Sequence, residues 1–188
     1  NVDEKAGDNH FNCPVVAYYA ELLNGNMEAL RNVRFLYPYL DISSPRALTR
    51  SLTPALQAAD ASIGRGEVRA AVQAGFEAYE RYKNDLRAEG ERAIAYARAH
   101  GKRIMILAGR PYHTDPEIGH GIDKLAVSLG FVVVSEDAVC HLAPVQKVHV
   151  LDQWTFHSRL YRAARYAAMH EDTELVQLVS FGCGVDAI

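Results

Sequence analysis

The sequence predicts an α/β fold, a three-layer and mostly parallel sheet flanked by helices. Three observations predict it. Apolar runs of strand length stand at residues 102–108, 131–134 and 175–181, segments with helical period precede and separate them, and polar or glycine-bearing turns follow them. The first two runs enclose a helical segment at 118–129, giving strand, helix and strand within about 33 residues. Such a βαβ unit makes its strands parallel with a right-handed crossover, in the manner of flavodoxin- or Rossmann-like sheets.

Taken in order, residues 1–10 are polar and without period, and read as a loop. A helix follows from Pro14, since proline fits a first helical turn, where its missing N–H is not needed; Asn12 or Cys13 is then the N-cap. Asn24-Gly25-Asn26 ends it, and Val33 to Tyr37 is a strand candidate closed by Pro38. Residues 41–63 read as an irregular insertion or cover, with a short helix around 54–61. A long helix spans about 67–100, either one bent helix or two broken near Gly90, and Gly101 stops it. Its Phe76, Tyr79 and Tyr82 stripe reads as core packing. The helix at 118–129 stops at Gly130, and another at 156–170 is expected to turn Leu160, Tyr161, Ala164, Ala167 and Ala168 inward. The whole chain, 1–188, is read as a single α/β domain.

Composition narrows the function. A net charge of −3 gives no reason to expect nucleic acid as a partner. No run reaches the roughly 18 apolar residues that span a bilayer, so no membrane partner is expected. Three scattered cysteines, Cys13, Cys140 and Cys183, are not a disulfide framework and suit a cytoplasmic protein.

The densest chemistry follows the 102–108 run. Gly109 releases Arg110, Tyr112, His113, Asp115 and His120 within about a dozen residues, at the sheet edge where open α/β folds place ligands. Arg110 offers a planar fork to carboxylate or phosphate, and the histidines titrate near neutrality. Against this stands a simple turn with a salt bridge. Glu136 and Asp137 leave the second strand at the same edge. No Walker loop or dinucleotide fingerprint is present. Cys13 stands before a proline-started helix, which favours its thiolate, and Cys183 lies between Gly182 and Gly184, whose backbone can approach a bulky ligand closely. Both cysteines are candidate metal ligands, with a nucleophilic role ranked below. Cys140 reads as an ordinary buried residue ahead of a third ligand.

Several of these stretches together resemble one family. They are Asn12-Cys13-Pro14-Val15-Val16, the run from Gly109 to Pro116, His120-Gly121-Ile122-Asp123, the run from Gln153 to Tyr161, and the run from Leu178 to Ile188. They resemble the acyl-CoA dehydratase activase-related proteins, the CoA-substrate-specific enzyme activases, whose C-terminal regions are akin to the 2-hydroxyglutaryl-CoA dehydratase component. The resemblance covers nearly the whole chain. It implies ATP-binding activase domains elsewhere in a longer polypeptide, an acyl-CoA dehydratase or reductase partner, and a four-iron four-sulfur (4Fe-4S) cluster held by cysteines. Cys13 and Cys183 match two motif cysteines, and Cys140 matches none. A third motif cysteine is expected before residue 1, so the resemblance implies an excised piece with an incomplete cluster site.

The leading expectation is an iron–sulfur-dependent electron-transfer or reductive module of an ATP-driven acyl-CoA dehydratase activase system. Cys13 and Cys183 would be ligands, and the N–H groups around Gly182 and Gly184 would tune the cluster. Arg110, Tyr112, His113 and His120 would line the pocket or the cluster's surroundings, with His157 and Arg159 as weaker candidates. The isolated fragment is expected to be inactive. The alternatives are a non-catalytic docking or scaffold domain joining the ATPase part to its partner, and a small-molecule reductase with its own double cluster.

Overall fold

The structure, a computed structural model, describes residues 14–144, 149, 152 and 155–179. They gather into two compact units divided after Arg81.

The first unit opens with α1 (Pro14–Ala17) and α2 (Tyr19–Asn26), the latter ending where the Asn-Gly-Asn signal placed it. The expected strand at 33–37 forms no strand and pairs with none among the described residues, and Pro38 removes a donor that pairing would need. Phe35 and Tyr37 stack on each other instead, with centroids 5.3 Å apart. Most of the stretch expected to be irregular is helix α3 (Pro45–Ala59). The Ser44 side chain caps it by accepting from the Ala47 N–H at 3.2 Å, and Pro45 occupies the first turn. Pro54 sits inside this helix; its lost N–H left the pattern looking broken.

Helix α4 (Arg65–Ala99) is a single unbroken helix. Gly101, with φ +61°, ends it, and the Lys102 N–H reaches back to the Ala97 carbonyl at 2.9 Å. The residues buried in its first half are Val68 and Val72. Phe76 is half-buried, but Tyr79 and Tyr82 are exposed, Tyr82 by 58 %, so the expected aromatic stripe is not core. A hydroxyl lets tyrosine sit at the rim, where phenylalanine would not.

The second unit holds a three-stranded sheet of order β2-β1-β3, built from β1 (Ile104–Ala108), β2 (Val132–Ser135) and β3 (Thr173–Gln177). Both pairings are parallel, with Ile106 opposite Val134 on one side and Leu175 on the other. Strand β1 is the buried centre, which explains its near-continuous apolar sequence. Helix α5 (Ile122–Ser128) crosses from β1 to β2 and ends at Gly130, φ +96°. Helices α6 (Glu136–Val139) and α7 (Thr155–Ala168) connect β2 to β3. Ile104 and Ile106 share a face of the sheet and form one core with Ile94, Ala97, Val134, Ala138, Val139, Ala163 and Tyr166. The buried face of α7 thus carries Ala163 and Tyr166, with His157 and Ser158 also buried, whereas Ala164 and Ala168 are exposed. The expected inner face was rotated because small alanines on all sides leave little contrast, and because Ser158 is buried with its hydroxyl bonded to Asp152. Among the described residues no helix is long and apolar enough to cross a membrane.

Candidate functional site at the carboxyl edge of the sheet

In the order β2-β1-β3, with both pairings parallel, the carboxyl ends of all three strands share one edge of the sheet, where open α/β folds place ligands. The Leu178 N–H still bonds the Ala108 carbonyl at 2.7 Å, which carries the β1–β3 pairing to the edge itself. There the chain turns through a short 3-10 segment, Pro111–Thr114.

His113 is the pin of this turn. Its own N–H donates to the Arg110 carbonyl at 2.9 Å, and its Nδ1 accepts from the Arg110 N–H at 2.9 Å. An accepting Nδ1 places the proton of the neutral ring on Nε2. The ring also lies 4.6 Å from that of Tyr112, centroid to centroid. Two glycines make room for the arrangement. A Cβ on Gly109 would run into His113 Nδ1 and come within 3.1 Å of the Leu178 carbonyl oxygen. A Cβ on Gly119 would lie 2.6 Å from the His113 carbonyl oxygen. Asp115 accepts from the Glu117 and Ile118 N–H groups at 2.9 and 3.1 Å, so it is a turn-building acid. His120 is exposed with φ +50°, a turn position in the left-handed region.

This predicts coupling between Gly109 and His113. Gly109→Ala should force the imidazole off the Arg110 N–H and cost about 1–2 kcal/mol of stability. In a His113→Ala background the same change should cost less by about 1 kcal/mol in a double-mutant cycle. Strictly additive urea midpoints would refute the pin.

A second group meets the turn from α7. The Arg110 guanidinium lies 5.1 Å from the Phe156 ring centroid and that of Arg159 lies 4.9 Å from it. Phe156 is near the start of α7, so this contact sets the N-terminal end of that helix beside the β1 turn. Arg159 Nη2 is 3.8 Å from Glu136 Oε1, at the exit of β2. That is an ion pair beyond hydrogen-bond length. Glu136 is only 5 % exposed, and burial, with the nearby Asp137 charge, pushes its carboxyl up to about 7 against the pull of Arg159. Asp137 accepts from the Ser135 hydroxyl at 2.6 Å.

The structure therefore brings together Arg110, Tyr112 and His113, with His120 set apart at the exposed end of the loop. Arg159 and Glu136, the first a weaker candidate and the second only noted as reaching the edge, form the buried part of the cluster. The sequence signal was available: Phe156 and Arg159 are one helical turn apart, on one face. Cys140 is buried, its thiol 3.9 Å from the Asp137 carbonyl, in keeping with the ordinary reading. Cys13, Cys183, Gly182 and Gly184 lie outside the described residues. Among the described residues no three His, Cys, Asp or Glu side chains form a group that could hold a metal.

No curated protein and no solved structure gives a significant match. Residues 1–139, which include β1, its turn, α5 and β2, match the family described as the CoA enzyme activase uncharacterised domain (DUF2229). With about three quarters of its length inside that match, the chain belongs to the CoA enzyme activase domain family.

Proposed function

We propose that the chain is the iron–sulfur-dependent electron-transfer or reductive module of an ATP-driven CoA activase system, with Cys13 and Cys183 as thiolate ligands of a 4Fe-4S cluster. ATP is bound by activase domains of the same polypeptide, and the electron passes to an acyl-CoA dehydratase or reductase partner. Family membership supports the activase system. The observation that carries the rest is the pairing of β3 with β1 up to Leu178, which starts the segment leading to Cys183 beside Gly109 and Arg110. In this reading Gly182 and Gly184 supply N–H groups toward sulfur, and Arg110, Tyr112, His113 and His120 surround the site. When bound, the cluster supplies a low-potential electron. The chain's own residues hold charge and position, with His113 fixing the backbone from which Arg110 projects.

Serine replacement of Cys13 and of Cys183 in the intact protein, reconstituted anaerobically, tests this. Each change should remove the cluster's visible absorption and lower bound iron and sulfide, with the circular dichroism spectrum unchanged. Unaltered iron, sulfide and absorption in the double variant would overturn it. That outcome would favour a docking domain, a reading supported by the exposed Val15, Val16, Tyr18, Tyr19 and Leu22 of the first unit.

A further inference from the structure

We propose that the apolar face of α1 and α2, continued by the chain from Met27 to Ile42, pairs with the same face of a second copy and makes the protein a dimer. The inference uses no cysteine, so it stands or falls separately from the electron-transfer reading.

The face is built before anything docks on it. The Tyr18 N–H bonds the Pro14 carbonyl at 3.0 Å and the Leu22 N–H bonds the Tyr18 carbonyl at 3.1 Å, so α1 runs on into α2. On one side of this helix Tyr18, Glu21 and Asn24, at spacings of three, hold the segment that follows. Tyr18 meets the Tyr39 ring edge-on at 6.4 Å, the Tyr39 hydroxyl donates to Glu21 at 3.1 Å, and the Asn24 amide donates to the Tyr37 hydroxyl at 2.9 Å. Arg34 ties the same segment to α3 by donating to the Ala58 and Ala59 carbonyls at 2.8 and 2.9 Å. Val15, Tyr19 and Leu22 fall at i, i+4 and i+7, on a different side of the helix, and all three are exposed.

Two observations ask for a partner. From Pro14 to Leu48 no residue is buried. Fixing a backbone costs about 1–2 kcal/mol per residue, and in this stretch the burial that offsets it must come from a surface laid against the unit. Second, eleven large apolar side chains from Val15 to Ile42 are each at least 41 % exposed. At roughly 150–250 Å² for a whole aromatic and somewhat less for an aliphatic, they show on the order of 1,000 Å². The largest apolar patch of a typical monomer is about 300–600 Å², whereas a stable pair covers about 800 Å² on each partner.

Charge selects the occupant. Pro14 to Leu30 carries no lysine or arginine, and its two acids are engaged inside the unit, Glu21 by Tyr39 and Glu28 by Arg31 at 3.9 Å. Nothing on the helix attracts nucleic acid or an anionic lipid. Nor does the face carry a block of one charge that would repel its own copy. A near-neutral, tyrosine-rich face of dimer size matches itself, and two-fold pairs are the commonest protein oligomers.

Sedimentation equilibrium of the 188-residue chain, with reductant present so that no disulfide contributes, tests this. The mass should approach twice the 20.8 kDa of one chain, with a dissociation constant of about 1 μM or tighter. Leu22→Glu places an unpaired charge twice in the two-fold contact and should weaken pairing at least about thirtyfold, with the circular dichroism spectrum unchanged. Leu22→Ala, which adds no charge and keeps the helix, should weaken it severalfold. Leu125→Glu, at a comparably exposed apolar position on α5, should leave pairing unchanged. A monomer at every concentration, pairing untouched by both Leu22 variants, or equal weakening by Leu125→Glu would each overturn the proposal. A monomer that instead binds phosphatidylcholine vesicles would overturn it in favour of a lipid surface.

Discussion

Gly90→Ala should destabilise the protein by about 2 kcal/mol, although alanine is the better helix former by about 1 kcal/mol. Gly90 lies buried inside α4, where a Cβ would stand 2.6 Å from the Ala138 carbonyl oxygen and 2.9 Å from the Ala138 Cβ. A backbone oxygen cannot swing aside as a side-chain end does, so α6 must move as a body. Ala138 and Val139 belong to the sheet's core, and that movement would open the packing around Ile94 and Val134. Gly75, in the same helix, supplies the control: a Cβ there meets nothing within 4 Å. Gly75→Ala should therefore stabilise by about 0.5–1 kcal/mol, through propensity alone. Urea unfolding of the two variants should move the midpoints in opposite directions. A stabilised Gly90→Ala would mean that the close approach of α6 does not constrain this position.

The same glycine shows how far the sequence could be read. A glycine amid a helical period signals either a break or a close approach, and the residues around it are alike in both cases. The partner that decides, Ala138, is remote in sequence. Strands β1 and β2 were legible because they are short apolar runs bounded by turns, and their parallel order followed from the helix between them; β3 (Thr173–Gln177) overlaps only the start of the apolar run expected at 175–181. The 33–37 run had the same local look, and what it lacked, a hydrogen-bonded neighbour, is not written locally. The first part of helix α3 was missed because Pro54 reads as the start of a short helix and not as its interior, whereas the Ser44 cap that starts the helix is a single residue.

The candidate site divides along a similar line. Arg110, Tyr112 and His113 were legible as a polar burst after a buried strand. Their roles were not. His113, which looked like a titrating group, spends Nδ1 on the backbone of Arg110, and Asp115 spends its carboxylate on a turn. The charged centre lies deeper, where an acid from the end of β2 meets an arginine from the first turns of α7. A pair formed across two elements leaves no spacing in the sequence. Burial, which makes Glu136 unusual, is a property of the whole sheet edge.

Glu136 should make the protein less stable as pH rises from about 4.5 to about 7, by about 3 kcal/mol in total. In the unfolded chain a glutamate titrates near 4.5, whereas in the fold burial holds this carboxyl up to about 7. Between those values the folded state binds the extra proton, so stability is fully present below the lower value and is lost as pH rises to and beyond the upper one. Arg159, 3.8 Å away, offsets part of the burial cost without cancelling it. Glu136→Gln keeps the shape and removes the ionisation. At pH 5 the variant and the parent should have nearly equal unfolding free energies. At pH 8 the variant should be more stable by about 2–3 kcal/mol, because only the parent must hold a buried charge. Subtracting the two pH profiles removes the contributions of the histidines and surface carboxylates shared by both proteins. What remains should be a slope between about pH 4.5 and about pH 7, level on either side. A difference that stays flat from pH 5 to pH 8 would show that Glu136 ionises in the fold as it does in water, and that the Arg159 pair outweighs its burial.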